Sequence, residues 1–441
     1  MRFPAYPKYK PSGVDAFPKV PEHWGAKRLK TSATYWVSNV DKLSADDELP
    51  VRLCNYTDVY YNDEITPDLS LMEATATSEE IRRFGLAVDD VVITKDSEEW
   101  SDIAIPARVA ATAPDLVCGY HLAIVRPRPA ALSGGFLLRA MQATAVNQQF
   151  QIAATGVTRF GLPKSAIGEA WLPLPPLAEQ AAIAEFLSRE TAKIDALVTK
   201  KWTLIERLKE KRTALISRTV TRGLPPDAAR AAGLDPHAKL KPSGIDWLGD
   251  VPEHWEISRL RFLFRNLDHR RVPISGEDRA SLDKVYPYYG ASGIIDQVED
   301  YIFDEPLILV AEDGANLLSR STPLAFMATG KYWVNNHAHI LKPVDGDIRY
   351  WVAVLQTFDY TPLISGAAQP KLTGERLGSI ELPRPPKDEQ RAIADYLDVE
   401  TAKLDRMVSL TDAAVERLLE YRGALVTAAV TGKIDVREAA A

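Results

Sequence analysis

Two segments of this chain each occur twice, and that duplication constrains its fold more than any other feature. Lys8–Trp24 reads KYKPSGVDAFPKVPEHW and Lys239–Trp255 reads KLKPSGIDWLGDVPEHW, with 11 of 17 columns identical at an offset of 231. Glu179–Val198 (EQAAIAEFLSRETAKIDALV) and Glu389–Val408 (EQRAIADYLDVETAKLDRMV) agree at 12 of 20 columns, at an offset of 210. The order is short motif, variable region, helical motif, and then the same again. The variable regions, residues 25–172 and 256–382, differ in sequence yet keep a skeleton. Val92–Ser97 aligns with Leu309–Gly314, Tyr120–Pro127 with Asn336–Pro343, and Thr158–Leu162 with Ala368–Leu372. One fold present twice with different surface residues suits recognition of two different targets.

At 441 residues the chain is too long for one ordinary core. With 46% hydrophobic and 26% charged residues it has the composition of a soluble globular protein. No apolar run approaches the roughly 18–20 residues of a membrane span. The first ten residues, MRFPAYPKYK, contain no secretory apolar segment. Cys54 and Cys118 form no CxxC and cannot build a disulfide framework. A cytoplasmic protein with no membrane association is expected.

Short β-branched runs at Val91–Thr94, Leu122–Val125, Leu307–Val310 and Ile340–Leu341 predict strands, with helices over Gly135–Gln149 and Ile348–Thr357. The repeated helical motifs follow Pro175-Pro176 and Pro385-Pro386, where proline suits a helix start. Apolar positions Ile183, Leu187, Ile194, Leu197, Leu204, Leu208 and Leu215 predict an a/d seam. Ile393, Leu397, Leu404, Met407, Ala414, Leu418 and Leu425 repeat it 210 residues later. Helices of some 45 residues would each be ~65 Å long. Amphipathic helices of that length need a partner, and antiparallel pairing about a pseudo-two-fold axis is the simplest closed arrangement; a seam with another protein is the alternative. Gly223–His237 reads as the connection between halves.

Signatures of catalysis are missing. There is no GxxxxGK[ST], GxGxxG, GxSxG or HExxH, and no Asn/Asp-Pro-Pro-aromatic motif for an amino-methyltransferase. His337 and His339 share a strand face, but no third metal ligand is suggested by spacing, and no metal is expected. Cys118 and His121 are close in sequence, yet a small buried cysteine explains the first better than a nucleophile does. The VPEHW motifs read as structural clasps with Trp24 and Trp255 as plugs, a role compatible with partner docking.

Lys95-Asp96-Ser97 and Glu312-Asp313-Gly314 place polar groups directly after a buried strand. Arg159 and Gln369 occupy matching loop positions; arginine suits bidentate contact with guanine and glutamine with adenine. Solvated loops are the plain alternative. Charge limits the DNA reading: residues 25–172 hold 14 Lys and Arg against 19 Asp and Glu, and residues 256–382 hold 13 against 17. Phosphate contacts supply most non-specific DNA affinity. Globular halves this acidic should therefore bind DNA weakly alone, with a partner supplying much of the phosphate clamp. The 177–222 segment, with ten basic residues against six acidic, is the exception.

Taken together, the chain resembles the specificity subunit of type I restriction–modification systems. The resemblance rests on Pro175-Pro-Leu-Ala-Glu-Gln180 and Pro385-Pro-Lys-Asp-Glu-Gln390, and on the ETAK motifs at Glu190 and Glu400. It also rests on Tyr288–Gly293 (YYGASG), Glu312–Ala315, Asn335-Asn-His337 and Gln369–Leu372. It implies an α+β fold with two similar α/β target-recognition domains separated by two long helices pairing as an antiparallel coiled coil. The expected division is a repeated motif (1–24), target-recognition domain (25–172), long helix (173–224), and linker with second motif (225–255). A second target-recognition domain (256–382), long helix (383–433) and tail (434–441) follow.

The resemblance further implies a non-catalytic subunit that reads a bipartite, asymmetric site on double-stranded DNA. Its readers would be about one helical turn (~34 Å) apart on one side of the duplex. Two methyltransferase subunits that modify adenine with S-adenosylmethionine are expected partners, and two restriction/translocase subunits also. Mg and ATP are expected there, with no cofactor in this chain. An orphan subunit guiding methylation alone, a protein-binding coiled-coil scaffold, and a chain with its own methyltransferase or nuclease activity are the rival readings. The DNA-contacting candidates are Tyr56, Lys95, Asp96, Ser97, His121, Arg159, Tyr288, Tyr289, Asn316, Asn336, His337, Gln369 and Lys371. Trp24, Trp255, Leu187, Ile194, Leu208, Leu397, Leu404 and Leu418 are candidates for the stem or for partner binding.

Overall fold

A computed structural model describes residues 3–366 and 369–437. Ala368 of the aligned loops and the 438–441 end of the tail lie outside the described residues. The chain divides into two compact units: residues 1–202 with 413–441, and residues 203–412. The long helices, Leu177–Arg222 (46 residues) and Lys387–Val430 (44 residues), each contribute a part to both units.

In the first unit a five-stranded sheet runs in the order Ala33–Val37, Leu122–Pro127, Val91–Thr94, Pro106–Val109, Glu64–Ile65. The Val91–Thr94 strand is buried on both faces because side chains alternate. Val91 and Ile93 join the core shared with the clasp and long helices, while Val92 packs towards a three-stranded sheet (Leu116–Cys118, Leu49–Cys54, Met72–Ala76). Gly25–Arg28 pairs antiparallel with Trp171–Leu174, so the variable region begins and ends at one place.

The second unit repeats this plan. Its sheet runs Phe264–Asn266, Ala338–Pro343, Leu307–Ala311, Ala325–Ala328, strand for strand the order of the first four above. Glu256–Arg259 pairs antiparallel with Glu381–Arg384 to close the variable region. A second four-stranded sheet (Gly293–Val298, Tyr286–Gly290, Lys331–Val334, Phe303–Asp304) takes the place of the three-stranded one. The expected helix Ile348–Thr357 forms with those bounds. The expected helix Gly135–Gln149 is instead two helices, Gly134–Gln142 and Thr144–Ala153. Between them Ala143 is extended, at φ −68° and ψ 127°. Its apolar side chain kept the hydrophobic pattern unbroken, so sequence gave no stop signal.

Each unit contains an antiparallel pair of long-helix segments. Arg422 donates to Asp195, Nε to Oδ1 at 2.9 Å and a terminal nitrogen to Oδ2 at 3.2 Å. In the second unit Arg212 Nε donates to Asp405 Oδ1 at 2.9 Å, the same pair 210 residues apart with the helices exchanged. Leu187, Ile194, Leu208, Leu397 and Leu404 are buried in the seam, and Leu418 is half-buried against it. Three expected seam residues are not. Leu197, Leu204 and Met407 face outward, while Val198 and Ile205 are buried in their place. A step of seven residues keeps two side chains on one stripe but does not say which stripe faces inward; from Ile194 the i+4 residue Val198, not the i+3 residue Leu197, lies on the buried face.

The repeated motifs fold alike. Lys8–Trp24 forms a hairpin of Tyr9–Pro11 with Lys19–Pro21, and Lys239–Trp255 one of Leu240–Pro242 with Asp250–Pro252. Ser12 Oγ and Ser243 Oγ each accept from the backbone N–H two residues on, at 3.0 Å. The indoles of Trp24 and Trp255 are fully buried, so they are plugs rather than docking surfaces. Trp24 packs on Gly432, just past the second long helix, and Trp255 on Gly223, just past the first. His23 Nε2 lies 2.8 Å from Glu179 Oε2, and His254 Nε2 lies 2.7 Å from Glu389 Oε2.

The neighbouring glutamines tie each variable domain to its helix. Gln180 donates to the carbonyls of Pro175 and Ala131 and accepts from Ser133 N; Gln390 donates to Pro385 and accepts from Asp347 N. The Pro-Pro-x-x-Glu-Gln motif is therefore a joint: Glu holds the clasp and Gln holds the domain.

Candidate functional site

In the first variable domain six sequence candidates meet at one place. Asp96 lies two residues past the buried strand Val91–Thr94 and opens Asp96–Ser97, which pairs with Phe160–Gly161. That pairing pins the loop carrying Arg159. Asp96 Oδ1 lies 2.6 Å from His121 Nδ1 and accepts from Arg159 at 2.5 Å, while Oδ2 lies 3.1 Å from Lys95 Nζ. Burial alone would raise the Asp96 pKa, but hydrogen bonds from Arg159 and Lys95 outweigh it and hold the carboxyl below its ordinary range. His121 is held below its ordinary value, first by burial and then by the charges of Arg159 and Lys95, against the pull of Asp96. Tyr56 donates to Ser97 Oγ at 3.2 Å and stacks on Tyr60 at 5.7 Å between centroids.

Tyr56, Asp96, Ser97, His121 and Arg159 line an open cavity of about 430 Å3 together with Tyr60, Tyr61, Glu98, Glu99 and Asp102, while Lys95 stands behind Asp96. The sequence reading missed the two tyrosines. The signal was there: Tyr60 follows Tyr56 by one helical turn on Tyr56–Tyr61, whose start is fixed by a capping box between Asn55 and Asp58.

The second domain repeats the pair at the aligned positions. Asp313 Oδ2 lies 2.8 Å from His337 Nδ1. The loop carrying Gln369 is pinned in the same way: Lys371 bridges backbone to Asp313 and Ser365, as Gly161 does to Asp96 and Thr155. Gly156 and Gly366 both take positive φ, 134° and 85°, at equivalent points where these loops turn. Asn336, His337, Gln369 and Lys371 are exposed around this pair. Lys371 Nζ stands 3.3 Å from Glu312 Oε1.

Three expectations in this domain change. Tyr288 is a core residue, 1% exposed; its hydroxyl accepts from Ile274 N at 3.0 Å and Arg279 covers its ring. Tyr289 is half-buried and packs on Phe326 and Tyr332. Asn316 closes its own turn, accepting from Thr322 N at 2.9 Å and Ser321 Oγ at 3.0 Å. In a tyrosine pair on a strand the outward and inward members alternate, and sequence does not fix the phase.

His337 and His339 also part company. His339 is buried, with Nδ1 2.6 Å from Asp268 Oδ2 and 3.7 Å from Glu312 Oε2, and Nε2 donating to the Leu372 carbonyl at 2.8 Å. These three residues bring ligand-type atoms together, a grouping the sequence could not suggest because Asp268 is 71 residues away. Arg271 already bonds Glu312 and lies 3.7 Å from Asp268, so the two carboxylates face a guanidinium and an imidazole. The cluster is a charge-matched clamp at the base of the exposed site.

Comparison with known proteins agrees with this architecture. Residues 252–410 match the family model described as "Type I restriction modification DNA specificity domain". A putative type I restriction enzyme specificity subunit of Haemophilus influenzae is 34% identical over 137 residues, 31% of this chain; the match spans about a third, 34%, of that relative's length. A putative type I restriction enzyme MjaX specificity subunit of Methanocaldococcus jannaschii is 21% identical over 95% of each chain. Among solved structures, a chain from work on complex assembly and conformational transition of the type I R-M system superposes with a TM-score of 0.63. It is 15% identical and aligned over 94% of this chain and 99% of that one, a likeness of fold. Among the described residues no helix is long and apolar enough to cross a membrane.

Proposed function

We propose that this chain is a specificity subunit of a type I restriction–modification system, the family whose model its residues 252–410 match, and that it is the non-catalytic DNA reader of such a system. Each variable domain reads one half of a bipartite, asymmetric site on duplex DNA. The observation that carries this reading is the pairing of sameness with difference. Both domains present an Asp–His pair, Asp96–His121 and Asp313–His337, beside a loop pinned at equivalent residues. Yet the side chains at the matching loop position differ, Arg159 against Gln369. Arginine and glutamine prefer different bases in the major groove. One frame with two different tips is what reading two different half-sites demands.

Both domains carry net negative charge, so phosphate neutralisation falls largely to partners. Two methyltransferase subunits are the proposed partners, joined by two restriction subunits in the cleaving complex. The relative described by complex assembly supports that part of the reading. Extrusion and methylation of the target adenine, with S-adenosylmethionine, belong to the methyltransferase.

The test exchanges residues 25–172 for the matching region of a relative and maps methylated sites by methylation-sensitive sequencing. A reader changes one half of the methylated motif and keeps the other. An unaltered motif would favour a protein-binding scaffold and overturn the proposal.

A further inference from the structure

The internal duplication supplies its own comparison for one surface feature. In the second clasp the Trp247 indole packs edge-on against Phe358, with centroids 5.2 Å apart, at the margin of that unit's apolar core. The repeated motif places Ala16 at the position of Trp247. In the first clasp the space beside Ala16 is a cavity of about 460 Å3, walled by Tyr9, Phe17, Pro18 and Ala145. Lys19 and Lys433 stand on its rim. Lys19 occupies the position where the second clasp has Asp250, so the copy without the aromatic plug also has the more basic rim. Among the described residues neither lysine forms an ion pair.

We propose that this cavity receives an aromatic side chain of a partner protein, carried on a segment with carboxylates beside it. The occupant follows from two features. The sister clasp shows that this hairpin and the helix beside it accommodate an indole, and in the first clasp the chain supplies none. Two unpaired ammonium groups at the mouth then select anionic neighbours over basic ones. An aromatic anchor in a walled pocket with complementary charges at its rim is the usual make-up of an interface hot spot. The two clasps therefore differ in kind: the second is closed by its own tryptophan and the first is open to one from outside. The inference is independent of DNA reading, because no residue of the pinned loops takes part.

The experiment uses the full chain and an acetylated, amidated peptide Asp-Asp-Trp-Asp-Asp carrying a fluorotryptophan, followed by fluorine NMR. Saturable binding is expected for the unaltered chain, together with no competition from the same peptide bearing alanine at its centre. Ala16→Trp fills the cavity and should abolish binding while leaving the unfolding temperature equal or higher. The double variant Lys19→Glu, Lys433→Glu should weaken binding by roughly tenfold or more. Absence of saturable binding up to about 1 mM overturns the proposal. So does undiminished binding to Ala16→Trp. Should that variant fail to fold, unchanged affinity in the surface double variant overturns it instead.

Discussion

Asp96 and His121 approach within 2.6 Å at the end of a buried strand, and Arg159 reaches the same carboxylate from the pinned loop. Arg159 is therefore held in place before any ligand arrives, which lowers the conformational cost of using it. Asp96→Asn removes the charge that anchors it while preserving shape. The methylated motif should lose preference at a base of the first half-site, by ~1–3 kcal/mol, and keep the second intact. Sequencing of methylated sites in cells carrying the variant checks this. Loss confined to the second half-site would detach this cluster from base reading.

Gln369 is the counterpart in the other domain, on a loop bridged through Lys371 to Asp313 and Ser365. Gln369→Ala should relax discrimination at one base of the second half-site by ~1–3 kcal/mol. Because the loop is closed by backbone contacts on either side of Gln369, global stability should change by less than about 0.5 kcal/mol. Methylation competition between single-base variants of the site measures the first, and chemical denaturation the second.

The His339 clamp predicts a pH window for stability. Burial opposes the charged imidazole, but the hydrogen bond and charge of Asp268 outweigh it and raise the His339 pKa above 6.5. Asp268 is likewise opposed by burial, yet His339 and the Ile340 amide hold it below 3.8. Glu312 and Arg271 are the other charged groups facing the pair. A raised histidine pKa gives stability that is full below the unfolded value and lost as pH rises through the folded one. A depressed aspartate gives stability present above its unfolded value and lost as pH falls through the folded one. Stability from this pair should thus be greatest between about 4 and 6.5 and decline on the alkaline side. Denaturation curves from pH 5 to 9 should show that decline, and His339→Gln should flatten it.

Much of this was legible in the sequence because duplication and helical periodicity are both regular signals. Val91–Thr94 and Ile348–Thr357 were readable to the residue, and the long helices nearly so. What failed was phase. Leu197, Leu204 and Met407 recur at heptad spacing yet lie on the outer flank, since a seam is defined by what packs opposite it. Tyr288 and Tyr289 are adjacent and chemically alike, and only the bulged pairing at Tyr288/Tyr289 decides which is buried. The clamp around His339 joins residues from three separate segments, so no local pattern could announce it.

Gly432 and Gly223 each follow a long helix in a left-handed conformation, φ 70° and 80°, and each touches a clasp tryptophan. Their surroundings differ. A Cβ on Gly432 would fall 2.4 Å from Pro21 Cδ, whereas on Gly223 the nearest atoms are at 3.6 Å. Gly223→Ala should then cost only the left-handed strain, ~1–2 kcal/mol. Gly432→Ala adds an overlap worth ~1–3 kcal/mol more, because Pro21 is held in its hairpin. Parallel urea denaturation of both variants checks the ranking; equal losses would contradict the packing described at Gly432.

The long helices give the last prediction. If the two domains read separate half-sites, the bases between them are unread and their number depends on helix length. One heptad inserted into both helices preserves the inward stripe and lengthens each by ~10 Å, about three base pairs of B-DNA. Insertion points after Thr199 and Ser409 are equivalent and exposed, clear of the Asp195–Arg422 and Arg212–Asp405 pairs. The methylated motif should keep both half-sites and change only the length of the gap. Inserting the heptad in one helix alone should instead break the cross-helix pairing and lower stability. A doubly extended chain that directs methylation to the original spacing would show that the helices do not set the gap.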